Sequence, residues 1–133
     1  MTQSFRLLVS ASIVLLAAAY SARAAETPAP PVTFSECRGG ISSIELVELA
    51  AYNVTFRNTS AVAADEIRLS IPYGRHKVAN FDLRGTFNPQ VDTSRALRKN
   101  VNGGLYAWRS SQNDCIVDFV HFTDGTTWNR AAH

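Results

Sequence analysis

The chain has 133 residues, with 13 Lys plus Arg against 11 Asp plus Glu, and two cysteines. This length suits one domain around one core. The two surplus cations, Arg6 and Arg23, lie in the first 24 residues, so the rest of the chain is charge-balanced, which removes the electrostatic basis for nucleic-acid binding.

Residues 1–24, MTQSFRLLVSASIVLLAAAYSARA, have a short basic head, an apolar run from Leu7 to Tyr20, and the small-x-small end Ala22-Arg23-Ala24. That is the layout of a secretory signal peptide, cleaved after Ala24. The apolar run falls short of the ~20 residues that span a bilayer, so no stable membrane anchor is expected after cleavage. No Cys follows the run directly and no Arg pair precedes it, which argues against lipid anchoring and against twin-arginine export. Of the 13 basic residues 11 are Arg, a bias that fits a GC-rich bacterial genome. The expected location is periplasmic or secreted.

Residues 25–31, AETPAPP, read as a flexible Pro-rich lead. The domain proper is expected over 32–130. Val32 and Phe34 alternate in a first strand, and Arg38-Gly39-Gly40 reads as a turn. Over 41–58, Ser42 and Glu45 form a capping-box pattern. Against a helix, Ile44, Leu46, Tyr52, Val54 and Phe56 keep a period of two. A long strand with a bend or bulge near Glu48–Ala51 is therefore expected, with a helix over 42–50 as the alternative. Asn58-Thr59-Ser60-Ala61 is a turn. Ile67, Leu69, Ile71 and Tyr73 alternate in a further strand, which Pro72 should bring to an end, a bulge or an edge. Arg75-His76-Lys77 is a polar tip. A short strand, a turn at Gly85 and a loop packing Phe87 on the core should follow. Residues 92–104 are polar and could hold one helical turn, and Leu105–Ser110 form another strand. The last stretch, residues 115–130 (CIVDFVHFTDGTTWNR), reads as a fold-closing hairpin in which Phe122 and Trp128 flank an Asp124-Gly125 pair suited to a type I′ turn. Its first arm is apolar on both faces, which indicates a central strand. About seven short strands separated by turns predict an all-β fold, a single antiparallel sandwich.

An exported chain with two cysteines most simply joins them, so Cys37 and Cys115 are expected to form a structural disulfide. Such a bridge would add roughly 4–5 kcal/mol by loop-closure entropy. Catalytic constellations are sparse. There is no G-x-S-x-G, no Gly-rich phosphate loop and no C-x-x-C, and no cofactor or metal is expected. Asp118, His121 and Asp124 are spaced three apart, which on a strand puts His121 on the opposite face from the two carboxylates. Tyr73, Arg75, His76 and Lys77 form a cationic tip that could bind an anionic glycan or an acidic partner. Arg95, Arg98 and Lys99 form a second such point. Tyr106, Trp108 and Trp128 read first as core aromatics.

Two stretches carry a resemblance. NVTFRNTSAVAADEIRLSIPYG, from Asn53, resembles the strand–Asn–turn–strand unit of bacterial immunoglobulin-like envelope domains. FDLRGTFNPQV and CIVDFVHFTDGTTW resemble a group of small exported bacterial proteins of undefined function. The resemblance implies an immunoglobulin-like sandwich. Antibody-type domains place a Tyr two residues before the second Cys, where this chain has Asn113, and Cys37 falls on a first strand rather than in NVTF. A differently placed disulfide is therefore expected. The functional expectation is a non-enzymatic binding domain whose partner is an envelope protein or a glycan. The alternatives are a small exported hydrolase using an acid–His pair, with His121 or His76 as base, and an inhibitor of an exported enzyme that presents one rigid loop.

Overall fold

The computed structural model describes residues 28–44, 47–74, 76–101, 108–110 and 113–131, without the side chains of 44 and 108–110. Among these residues there are eight strands and no helix. The strands β1 (Val32–Ile44), β2 (Val47–Asn58), β5 (Asp92–Val101) and β6 (Trp108–Ser110) form one sheet in the order β5-β2-β1-β6. The second sheet, in the order β4-β3-β7-β8, holds β3 (Ala64–Tyr73), β4 (Lys77–Phe87), β7 (Ile116–Phe122) and β8 (Thr127–Asn129). All named pairings are antiparallel. The fold is the expected all-β sandwich with one disulfide. It has eight strands rather than about seven, and β1 to β5 run 10 to 13 residues, longer than expected.

Period-two patterning explains the layering. In β2 every even residue from Glu48 to Asn58 is buried, and in β3 Ile67, Leu69, Ile71 and Tyr73 are buried. These faces meet across the sheets. Tyr52 packs edge-on to Phe81 at 6.0 Å between centroids, and Phe56 does the same to Phe87 at 5.3 Å. Sandwich cores are built in this way from two interdigitating inner faces.

Several local expectations are corrected. Residues 41–58 are not one bent strand: β1 ends at Ile44, β2 begins at Val47, and the two pair antiparallel with Ile44 opposite Val47; residues 45–46 lie outside the described residues. Neither a helix over 42–50 nor a bulge at Glu48–Ala51 is present. Arg38-Gly39-Gly40 is strand interior, paired with Asn53, Tyr52 and Ala51. Gly85 likewise lies inside β4 rather than at a turn, though Phe87 does pack into the core. The polar run 92–101 is a strand, not a helical turn. It is an outer strand with only Leu97 buried, so it has no apolar alternation to reveal it. Pro72 behaves as expected: β7 pairs with β3 from Ala64 to Ser70, so Pro72 lies beyond the part flanked on both sides.

The closing hairpin is present and β7 is central, flanked by β3 and β8. Its turn is not type I′. Gly125 has φ 86°, but Asp124 is not in the positive-φ region. Gly125 N donates to Phe122 O at 2.9 Å and Phe122 N donates to Thr126 O at 2.9 Å, the pattern of a three-residue loop that ends in a left-handed glycine. Asp124 Oδ1 accepts from Thr126 N and Thr126 Oγ1, which fixes the loop. A register shift where Arg68 pairs Phe119 and Leu69 pairs Val117 leaves Asp118 as a bulge. The bulge changes the phase of β7. Val117, Val120 and Phe122 all face the core, while Phe119 turns outward beneath the Arg68 guanidinium at 4.6 Å.

Cys37 on β1 and Cys115 just before β7 are bonded, so the disulfide joins the two sheets. A formed disulfide fits an oxidising setting outside the cytoplasm. No helix among the described residues is long and apolar enough to cross a membrane.

The Asn58 turn is held by one buried side chain. Asn58 Nδ2 donates to Val62 O and Phe87 O, at 2.8 and 3.0 Å, and its Oδ1 accepts from Ser60 N and Ser60 Oγ. At 1% exposure this side chain is wholly inside the fold. Asn58→Ala should cost about 2–3 kcal/mol, because two carbonyls lose their donor in a dry site. Chemical denaturation of the variant measures it.

Candidate functional site

The side of the sandwich bounded by β4 and β5 is closed by polar reach across the sheets. Lys99 Nζ donates to Asn80 O at 3.1 Å, and the Arg95 guanidinium lies 5.9 Å from the Phe87 ring. The opposite side is more open. β6 covers β1 only at Gly39–Ile41, and Asn113 continues the edge by donating through its backbone N to Cys37 O at 2.7 Å and through its side chain to Cys37 O and Gly39 O. Among the described residues, Val32–Glu36 of β1 have a strand on one side only. On the facing sheet, β8 is three residues long.

Between these two edges lies an apolar groove of about 360 Å³. Val32 and Phe34 line it from β1, Cys115 to Val117 from the start of β7, Trp128 from β8, and Arg130 just after β8 adds one charged side chain to the mainly apolar lining. The Pro-rich segment Pro28–Pro30 runs along it, and Trp128 Nε1 donates to Pro28 O at 3.3 Å. The lead therefore makes a defined contact rather than acting as a bare tether from residue 28 on. Trp128 packs partly against the core and stays part-exposed, so it is neither a wholly buried core residue nor a free surface aromatic. Trp128→Ala should accordingly cost about 1–2 kcal/mol, below the ~3–5 expected of a fully buried ring. A thermal melt of that variant measures it.

The other sequence candidates fall elsewhere. Tyr73 is 5% exposed, so its ring belongs to the core and not to an exposed tip. Burial, with the Glu48 carboxylate nearby, holds its phenol above the usual tyrosine value. His76 is exposed and Lys77 half-buried, while Arg75 lies outside the described residues. Arg95, Arg98 and Lys99 lie on the outer strand β5, and of the three only Arg95 lines a depression, the polar one described below. Tyr106 and the Trp108 side chain lie outside the described residues.

His121 does meet a carboxylate, though not one of the two spaced around it in the sequence. Its Nδ1 is 2.6 Å from Asp65 Oδ1 on β3. Asp118 instead pairs with Arg130 at 2.9 Å. No hydroxyl or thiol among the described residues is hydrogen-bonded to His121, and no cluster of three His, Cys, Asp or Glu fit for a metal occurs among them.

A second depression, also about 360 Å³, lies on the outer face of the β5-β2-β1-β6 sheet, lined by Glu36, Asn53, Thr55, Ser94 and Arg95. Three of its polar groups bond one another: Thr55 Oγ1 lies 2.9 Å from Ser94 Oγ and 3.4 Å from Glu36 Oε2. Two surface carboxylates, one on β5 and one in the β7–β8 loop of the other sheet, show what the surface does to charge. The Arg57 guanidinium, hydrogen-bonded at 2.7 Å, holds Asp92 below the usual carboxylate range, and Thr126 together with His121 does the same for Asp124. A pKa lowered by folding means stability that is present above the unfolded value and lost as pH falls through the folded one. Asp124→Asn should therefore leave stability at neutral pH less dependent on acidification, which an acid titration followed by circular dichroism reads out.

Comparison of the chain with protein-family models, with curated proteins and with solved structures gives no match. The groove therefore has to be interpreted from its own chemistry. It could not be read from the sequence because Trp128 and Pro28 lie 100 residues apart. A Pro-rich lead and a Trp after a turn were each visible, but only the strand order brings them together.

Proposed function

We propose that this protein is an exported bacterial recognition domain that works by binding, with the groove at Trp128 as its contact surface. The observation that carries the reading is the seam itself: a mainly aromatic and aliphatic lining beside a strand segment that has a neighbour on one side only among the described residues, with the disulfide-bonded Cys115 in the lining. Exposed strand edges and aromatic-lined grooves are two common ways to take up an extended partner segment. The signal-peptide pattern of residues 1–24 supports release into the periplasm or the medium. The favoured partner is another envelope protein. The polar depression supports a glycan less well, because three of its polar groups already bond one another.

An immunoglobulin-like lineage is part of the proposal. Strand adjacency supports it: β2 lies beside β5 and β1, and β3 lies beside β7, which lies beside β8. These are the neighbours such sandwiches require of their second, third, fifth, sixth and seventh strands. The strand β6, added outside β1, departs from that plan.

The test is capture of envelope proteins by the mature protein, alongside two variants. Ile116→Arg fills the groove with charge, and Arg84→Glu alters the remote outer face. Loss of the captured partner with Ile116→Arg alone supports the reading, and equal capture by all three removes the groove from it. A second reading, a small hydrolase, rests on the His121–Asp65 pair. Hydrolysis of an ester or glycoside panel that disappears in His121→Ala would favour it.

A further inference from the structure

The occupant of the groove can be named by its chemistry, given the binding reading above. Pro28-Ala29-Pro30-Pro31 is a short proline-rich run. Proline fixes φ near −65° and pushes the preceding residue to extended geometry, so such a run favours the polyproline II helix. That helix has no internal hydrogen bonds, and its carbonyls point outward as acceptors. Its prolines carry no N–H, so seating them on an apolar surface leaves no donor unsatisfied. The groove matches each of these features. Phe34, Ile116 and Trp128 offer apolar surface to the rings. Trp128 Nε1 supplies one donor, and it is directed at the carbonyl of Pro28 at 3.3 Å. Indole is a donor only, so it discriminates for an acceptor-rich ligand. The two sides of the groove are covalently tied at Cys115, which also lines it, so the surface is formed before any ligand arrives.

We propose that the groove is a proline-recognition site, that its ligand is an extended proline-rich segment of a partner protein, and that Pro28–Pro30 of the chain, which line one side of it and hold the Trp128 N–H, compete for it in cis. The lead joins directly to β1 at Val32. It is therefore present at high effective concentration and must be displaced by a partner. It would act as a built-in competitor that sets the threshold for binding.

The test uses the mature protein, a Pro28→Gly/Pro30→Gly variant that removes the competitor, and a synthetic peptide of sequence Thr-Pro-Ala-Pro-Pro-Val as probe. The readout is the indole N–H resonance of Trp128 in a two-dimensional NMR spectrum, assigned by its loss in Trp128→Phe. The expected result is a saturable shift of this resonance in the double variant. The unaltered protein should need roughly tenfold or more peptide for the same shift. A peptide with Ala in place of each Pro should leave the resonance unmoved. Absence of a shift in the double variant, or an equal shift with the Ala peptide, would overturn the proposal. So would a dimer of the unaltered protein that forms with rising concentration and is lost in the double variant, because the lead would then belong to a second copy. The wider binding reading fails separately, through the Ile116→Arg capture experiment, so a groove that ignores the peptide but still captures a partner would sink only the proline specificity.

Discussion

Gly39→Ala is expected to be the most damaging one-carbon change in the domain. Gly39 has φ 149°, a conformation that L side chains rarely adopt. A Cβ built there would overlap the Ala51 carbonyl oxygen and approach Tyr52 Cα to 2.6 Å. Both obstacles belong to the β2 backbone, which pairs with β1 without a shift from Glu36 to Ile44. They cannot rotate away as a side chain could. Overpacking in a core that can adjust costs about 1–3 kcal/mol. Here the adjustment would have to separate β1 from β2 at the centre of the sheet, and a domain of ordinary stability holds only ~5–15 kcal/mol in reserve. The variant should give little or no folded protein, read as loss of amide dispersion in an NMR spectrum. A melting temperature within about 4 °C of the parent, which corresponds to ~1 kcal/mol at this size, would contradict the role assigned to Gly39.

Removing the disulfide should have the next largest effect. Cys37 and Cys115 are 78 positions apart and join the β1 sheet to the β7 sheet. Without the bond, the unfolded chain regains the freedom of a long loop, worth roughly 4–5 kcal/mol by loop-closure entropy. The native state also loses a fixed point beside Asn113, whose amide bonds Cys37 O and Gly39 O. The Cys37→Ser/Cys115→Ser double variant should melt roughly 20 °C below the parent. Adding reductant to the parent should lower its melting temperature comparably. A melting curve unmoved by reductant would show that sheet packing alone holds the domain.

The parts of the fold with a strong apolar period were legible in the sequence. Tyr52 to Phe56 and Ile67 to Tyr73 show their buried faces directly, because each strand packs one face and leaves the other exposed. Cys37 and Cys115 were legible by elimination, as the two cysteines of an exported chain. Three features were not, each for a physical reason. The strand β5 is an outer strand whose only buried residue is Leu97, so its sequence carries no alternation. Gly39 looked like turn punctuation because a glycine needed for close backbone approach and one needed for a turn are the same letter. The Asp118 bulge shifts the phase of β7 by one residue, which moved Phe119 outward, and a second register shift at Asp65 sets that carboxylate beside His121.

The candidate site was legible only in fragments. Trp128 and the Pro-rich lead were both singled out, but as hairpin closure and as tether. Their contact depends on β8 lying at the edge of one sheet and β1 near the edge of the other. Such long-range adjacency is set by topology, which local periodicity does not encode. Tyr73 shows the converse: a residue in a cationic run looked like part of a surface, but its place on the alternating face of β3 buries it.

The most direct test of the binding account is site-specific photo-crosslinking in the cells that make the protein, with p-benzoylphenylalanine placed at Phe34 in the groove and at Asp82 on the remote outer face of β4. The account predicts a discrete adduct with one envelope protein from position 34 and none from position 82. No adduct at position 34, or the same adduct from both positions, would contradict it.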